Sequence, residues 1–279
     1  MADHPPSVEP VGRAAIRIGP TLVLASALAS TMGVVFAQLL HNFGDGLLAE
    51  ILGGDAVLHN NRVVVKGAGD LARAGGPLLC LVVGLIALFV YPALRRHGAL
   101  RLIYLWAALH ILRQALTQAI ALPLGADNQL ALAYAALDAP PGLDVVIAGA
   151  GGVGLLLIAL AAAGAFLRFT PSGELISTGR KRLTFVLWIA VVPAAASVFL
   201  AIPFFLPDDE GLVISGLPLT AVPFLATLAA APGTTDVRGP ADERRAPRPW
   251  GLAATLAVVL ALCLVVLGGG VPVVPAQWA

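Results

Sequence analysis

Seven apolar stretches, each about 18 residues or longer, constrain the fold of this chain more than any other feature of its sequence. A helix needs about 20 apolar residues to cross the hydrocarbon core of a bilayer, so stretches of this length are typical of membrane spans. They lie at 19–40, 76–94, 101–123, 143–167, 183–206, 212–231 and 251–271. The sequence therefore predicts an all-α, polytopic transmembrane helix bundle of about seven spans.

Composition agrees with this fold class. The chain is 58% hydrophobic and 12% charged, whereas soluble globular proteins carry about 25% charged residues. The net charge of +1 provides no basic surplus, so we expect no nucleic-acid partner and take the lipid bilayer as the surroundings. Cys80 and Cys263 both fall inside apolar stretches and predict no disulfide framework.

Lysine and arginine concentrate in alternate loops, which predicts the orientation through the positive-inside bias. These residues are Arg13, Arg17, Arg95, Arg96, Arg101, Arg168, Arg180, Lys181, Arg182, Arg238, Arg244, Arg245 and Arg248. We predict a bacterial-type inner (plasma) membrane protein with a cytoplasmic N-terminus and an external C-terminus. The loop at 41–75 is the exception, with Arg62, Lys66 and Arg73. The first span is long for the apolar core of a signal peptide, so we expect it to be retained.

We divide the chain into five parts; composition bounds the tail, the linker and the C-terminal helix, and the boundary after 145 is one that a family resemblance implies. They are an N-terminal cytoplasmic tail at 1–18, a unit of three spans at 19–145, a helical bundle at 146–231, a polar linker at 232–250, and a C-terminal helix and tail at 251–279. Within the first unit, β-branched residues flank Asn60-Asn61 in the segment 57–65. Because such a pair tolerates the left-handed conformations of a tight turn, we predict a short β-hairpin between the first two spans.

A cluster of polar residues, His41, Asn42 and Asp45, lies at the end of the first span. Ionisable side chains at membrane depth are costly and indicate a functional site. His41 and Asp45 are four residues apart on one helix face, the spacing at which two side chains hold one metal ion. If the helices alternate in direction, Asp127 after the third span lies at the same depth. An imidazole with two carboxylates suits zinc, manganese or iron.

Simpler interpretations of the same residues stay open. His41 and Asp45 could form a hydrogen-bonded pair without a metal, and Asp127 could be a helix cap or turn residue. His110, Gln114 and Gln118 recur every four residues on the third span, which predicts hydrogen bonds between helices inside the bundle.

The order of several short motifs resembles the site-2 protease family of intramembrane zinc metalloproteases. That family carries His-Glu-x-x-His on a core helix, then Gly-Gly and a β-hairpin, then a helix opened by Ala-Gly-Pro, and an aspartate after a third helix. The corresponding segments are His41-Asn42-Phe43-Gly44-Asp45, Gly53-Gly54, the hairpin at 57–65, Ala74-Gly75-Gly76-Pro77 and Gly125-Ala126-Asp127. The resemblance makes 19–145 a site-2-protease-like core.

The resemblance implies His41, Asp45 and Asp127 as ligands of zinc or another divalent metal, with Asn42 at the position of the general base. An amide cannot take up a proton, so we expect no ordinary peptide hydrolysis. Asp45 or Glu50 could serve as a base only in an altered geometry. In the family the metal lies toward the cytoplasmic face, whereas the arginine pattern places His41 toward the outer face.

The sequence thus predicts a divergent or inactive pseudoprotease, or scaffold, that binds a metal or a membrane helix. An alternative is an accessory subunit of a larger membrane protein complex, because alanine and glycine in the spans permit close helix contacts with partners. A second alternative is a small transporter, favoured by the proline-containing fifth and sixth spans. A transporter predicts inverted repeats, and the sequence shows none.

Overall fold

The computed structural model describes residues 18–94, 98–125, 128–205, 217–234 and 249–274, and within these ranges it is predominantly helical. Its helices are α1 (Pro20–Ile51), α2 (Gly75–Val90), α3 (Gly98–Ala121), α4 (Gln129–Ala135), α5 (Leu143–Leu167), α6 (Gly179–Val186), α7 (Val192–Phe205), α8 (Leu217–Ala230) and α9 (Pro249–Leu262). Its strands are β1 (Asp55–Leu58), β2 (Val63–Lys66) and β3 (Val271–Pro272). Short π-helical segments, Leu187–Val191 and Cys263–Leu267, join α6 to α7 and extend α9.

Five helical segments are long and apolar enough to cross a membrane, which supports a multi-pass membrane protein. They are Pro20–Ile51, Asp70–Ala93, Leu143–Leu167, Gly179–Phe205 and Pro249–Leu267. The predicted third span forms α3, which has the length but carries several polar side chains. The predicted sixth span is described only over α8, a helix of 14 residues. The predicted count of seven spans is therefore not confirmed.

Helix α3 lies at the centre of the bundle, where α1 provides hydrogen-bond partners for two of its buried side chains, Trp106 and His110. The Trp106 indole donates to Ser26 Oγ at 2.9 Å, and Ser26 Oγ donates to the Ile189 carbonyl at 2.6 Å in the π-helical segment before α7. One turn further along α3, His110 Nε2 lies 3.0 Å from Ser30 Oγ on α1. The predicted hydrogen bonds between helices are confirmed for His110, and they explain how a less apolar helix is accommodated in the core.

Glycines bring α1 into backbone contact with two other helices. A Cβ on Gly44 would lie 2.5 Å from the Gly75 carbonyl oxygen at the start of α2. A Cβ on Gly33 would lie 2.9 Å from the Trp106 carbonyl oxygen on α3. No side chain fits at these distances, so the small residues set how closely the helices approach.

The predicted β-hairpin is confirmed. Strands β1 and β2 pair antiparallel, with Leu58 opposite Val63 and Asp55 opposite Lys66. The sequence did not predict the third strand, β3, which pairs antiparallel with the other edge of β1 and places Val271 opposite Leu58. The hairpin therefore joins the segment that follows the last long helix to the first unit of the chain.

The reason given for the hairpin turn was wrong. Among the described residues other than glycine, Asp138 alone has a positive φ, so neither Asn60 nor Asn61 adopts a left-handed conformation. Instead, Asn60 Nδ2 donates to the Phe204 carbonyl at 2.7 Å and Asn61 Nδ2 donates to the Phe205 carbonyl at 2.9 Å. The two amides thus bond to carbonyl groups of the last described residues of α7.

The bundle has two distinct ends. At the first, which we call the sheet end, the hairpin meets the end of α7 and the start of α2 meets the end of α1. At the opposite end, which we call the basic end, the Arg101 guanidinium lies 5.0 Å from the centre of the Tyr91 ring, and Arg182 Nη2 donates to the Pro232 carbonyl at 2.6 Å. Which end faces the cytoplasm stays a prediction from the arginine pattern.

Candidate functional site

Four polar side chains meet at the sheet end, and we call this cluster the polar junction: His41 and Asp45 on α1, Gln118 on α3 and Gln129 on α4. His41 and Asp45 are 2% and 3% exposed. The four-residue spacing places both on the side of α1 that packs against other helices. The structure therefore brings together the two α1 residues that the sequence singled out, in a buried position.

The imidazole of His41 is the centre of the polar junction. Its Nε2 atom lies 2.7 Å from Gln129 Oε1, 3.4 Å from Asp45 Oδ2 and 3.4 Å from Gln118 Nε2. The short contact is a hydrogen bond in which a protonated Nε2 donates to the amide oxygen. His41 Nδ1 is buried and has no hydrogen-bond partner among the described residues. One ring nitrogen thus faces all the polar neighbours.

Asp45 connects α1 to the first turn of α2. Its Oδ1 atom accepts a hydrogen bond from the Gly76 backbone N–H at 2.6 Å. The first N–H groups of a helix have no partner within the helix, and a carboxylate there also interacts favourably with the helix dipole. The other carboxylate oxygen, Oδ2, remains directed at His41.

Gly76 packs directly against the imidazole. A Cβ at this position would lie 2.5 Å from His41 Nδ1 and 2.6 Å from Cε1. Because no L side chain tolerates such distances, only glycine lets α2 begin against His41. The motif Gly75-Gly76 therefore serves two contacts, the first with the α1 backbone at Gly44 and the second with the imidazole.

Asn42 occupies the position of the general base in the resembling family, and its hydrogen bond leads away from the polar junction. Asn42 Oδ1 accepts from Gln38 Nε2, one turn earlier on α1, at 3.0 Å. Asn42 Nδ2 is buried and has no partner among the residues that the structure describes. The Asn42 amide oxygen is therefore bonded to a side chain of its own helix, α1.

The third predicted ligand, Asp127, lies outside the described residues. The residues that follow it reach the polar junction: Asn128 Nδ2 donates to the Gln118 carbonyl at 2.7 Å, and Gln129 contacts His41. Among the described residues, which do not include Asp127, no three His, Cys, Asp or Glu side chains are grouped to hold a metal.

Sequence reasoning missed Gln129 and Gly76 as members of the site. Gln129 follows Asp127-Asn128 in an otherwise apolar segment, and this polar run was the available indication. Gly76 was noted only as part of a motif. Its contact with His41 depends on the crossing of α1 and α2, which no spacing along the chain specifies.

The polar junction offers two adjacent metal-binding atoms. His41 Nε2 and Asp45 Oδ2 are 3.4 Å apart. Two ligands at about 2.0–2.1 Å from a tetrahedrally coordinated ion are separated by about 3.3 Å. This spacing fits a shared divalent ion only with an unprotonated Nε2, so a bound metal would replace the hydrogen bond from His41 to Gln129 Oε1. Further ligands would have to come from the α3–α4 connection.

Comparisons of the chain with protein-family models, with curated proteins and with solved structures found no match. The resemblance to site-2 proteases accordingly rests on the motifs of the sequence alone.

Proposed function

We propose that this protein is a site-2-protease-like membrane protein that does not hydrolyse peptides. The polar junction, which corresponds to the catalytic region of that family, instead binds a metal ion that holds α1 to neighbouring helices. The observation that carries the proposal is the role of Asn42. An amide at the position of the base cannot accept a proton from water, and this one bonds to Gln38.

The contacts of the other residues support a structural role. Asp45 binds the first turn of α2, and His41 binds Gln129 at the start of α4. Each side chain thus connects α1 to a segment distant in the chain. A carboxylate as buried as Asp45 is stabilised in its ionised form by a neighbouring cation, and a divalent ion shared with His41 would supply one. We assign His41 and Asp45 as its ligands, with Asp127 as the third, and the metal would take the place of Gln129 at His41 Nε2.

Element analysis of the purified protein tests the metal. We expect about one equivalent of a divalent metal in the unmodified protein, its loss in His41→Ala and Asp45→Asn, and its retention in His59→Ala, a matched change at a hairpin histidine. Absence of metal from the unmodified protein, or equal metal in His41→Ala, would overturn the metal assignment.

Cleavage assays test the absence of hydrolysis separately. The unmodified protein, reconstituted with membrane-spanning reporter peptides, should leave them intact, whereas Asn42→Glu/Asp45→His restores the family's His-Glu-x-x-His pattern and is the positive comparison. Chelator-sensitive cleavage by the unmodified protein that disappears in His41→Ala would contradict the proposal.

A second candidate function, accessory subunit of a larger membrane complex, is favoured by the two least covered helices. Only 22% of the most apolar stretch of α5 and 17% of that of Pro249–Leu267 are buried, against 61% of that of α1. Leu157 on α5 and Val265 after α9 are 60% and 80% exposed. Large exposed apolar surfaces fit either lipid or the helices of partner proteins.

Site-specific photocrosslinking in intact membranes distinguishes lipid from protein on these faces. A crosslinking side chain at Leu157 should give a discrete protein adduct, and the same group at Leu85, on the more covered helix α2, is the matched control. Adducts with lipid alone at both positions would rule out a partner on α5.

A further inference from the structure

A groove at the basic end combines an apolar trough with a charged rim. It lies between the first turns of α1 and the continuous segment from α6 to α7, and its volume is about 940 Å³. Val23 and Leu24 form one apolar wall, while Trp188 and Val192 form the other. This volume lies near the upper limit of typical small-molecule sites, roughly 300–1,000 Å³.

The rim of the groove carries basic side chains. Arg180 and Lys181, in the first turn of α6, line the groove and are exposed. Lys181 Nζ donates to the Glu174 backbone carbonyl at 2.9 Å and to Ser177 Oγ at 3.2 Å, which holds the ammonium group at the rim. Glu174 also lines the groove, and its side chain leaves a net charge of +1 among these three residues.

The arrangement suits an amphipathic anion. The two basic side chains attract a phosphate group, and the trough beside Trp188 offers apolar contact to an acyl chain; tryptophan favours the boundary between headgroups and hydrocarbon. Trp188 is 45% exposed, so its ring is available to an occupant of the groove. The same end of the bundle carries the arginines that predict the cytoplasmic face, where anionic lipids attract basic side chains.

We propose that this groove binds one anionic phospholipid, with its phosphate between Arg180 and Lys181 and an acyl chain along Leu24, Trp188 and Val192. The site is separate from the polar junction and does not depend on the function proposed for it. Replacing one basic side chain near a membrane surface weakens binding about fivefold, so the loss of both should approach twentyfold or more.

Native mass spectrometry of the delipidated full-length protein tests the proposal with phosphatidylglycerol and phosphatidylcholine of identical acyl chains. We expect selective binding of one phosphatidylglycerol, a loss of about twentyfold or more in Arg180→Gln/Lys181→Gln, and no change in the matched control Arg62→Gln/Lys66→Gln at the sheet end. Ala196→Phe, which fills the trough without changing charge, should weaken binding of both lipids.

Several results would overturn the site. They are equal binding of the two lipids by the unmodified protein, equal losses in the Arg180 and Arg62 double variants, displacement of phosphatidylglycerol by inorganic phosphate, or preference for an acidic peptide over the lipid. Thermal unfolding of each variant in detergent verifies folding, and the charge variants at exposed positions keep the proposal testable if Ala196→Phe does not fold.

Discussion

At the scale of single residues, glycines decide where helices cross. Gly44 on α1 and Gly75 at the start of α2 approach so closely that neither accepts a Cβ. This contact sets the position of Gly76, whose N–H binds Asp45, and therefore the geometry of the polar junction. The close backbone contact between α1 and α2 thus also determines where the polar contacts of the site form.

The Gly44→Ala variant should destabilise the protein. Its Cβ would lie 2.5 Å from the Gly75 carbonyl oxygen, and such overpacking typically costs about 1–3 kcal/mol. The unfolding midpoint in detergent should fall by about 2–4 °C for each kcal/mol. Gly152→Ala on α5 is the matched control, because its Cβ meets nothing within 4 Å and alanine is the better helix former. An unchanged midpoint in Gly44→Ala would show that the crossing can adjust.

Part of the polar junction could be predicted from the sequence at this scale. His41 and Asp45 share a helix, and a spacing of four residues suffices to place them on one face. Gln129 could not be assigned in the same way, because its contact with His41 depends on the connection between α3 and α4. Local periodicity predicts neighbours within a helix, whereas contacts between helices require the path of the chain.

At the scale of secondary-structure elements, the hairpin acts as a clamp on helix α7. Asn60 and Asn61 occupy the turn and donate to carbonyl groups at the last residues of α7, Phe204 and Phe205. Strand β3 adds to the other edge of β1. One short hairpin therefore contacts two distant parts of the chain, the last described residues of α7 and strand β3.

Substitution of Asn60 distinguishes a clamp from a simple turn. Asn60→Ala removes the donor to a buried carbonyl and should cost about 1 kcal/mol, and Asn60→Gly should cost at least as much, since glycine also loses more entropy on folding. Asn60→Asp, nearly identical in shape, should be destabilising as well, because a carboxylate cannot donate to the Phe204 carbonyl. Thermal unfolding measures each change. Equal or higher stability of Asn60→Gly would instead indicate that turn conformation alone selects the residue.

The elements differ in how far their sequences predicted them. β-Branched residues on either side of Asn60-Asn61 sufficed to predict β1 and β2, but the two residues of β3 contain no pattern that an isolated segment could reveal. Helix α3 was predicted as a membrane span, and its polar side chains make sense only once the surrounding helices are seen to cover it. Its burial comes from the bundle, not from its own hydropathy.

At the scale of the whole molecule, the two ends differ in the kind of contact they contain. The sheet end carries the buried polar junction and the hairpin, and the basic end carries Arg180, Lys181 and Arg182. Because arginine and lysine are retained on the cytoplasmic side, the basic end is predicted to face inward. The sheet end, including Lys66 on β2, is then predicted to face outward, despite its three basic residues.

Labelling of single cysteines in intact cells tests this orientation. The native cysteines, Cys80 and Cys263, are both buried. Replacing both with serine removes their thiols, so that only an introduced cysteine reacts with maleimide. In that background, Lys66→Cys at the sheet end should react with a membrane-impermeant maleimide, whereas Ser177→Cys at the basic end should react only after the membrane is opened. Both positions are exposed, so the difference measures sidedness and not burial. The reverse pattern would place the polar junction toward the cytoplasm, as in the site-2 proteases, and would mean that the three basic residues of the 41–75 loop outweigh the arginines of the later loops.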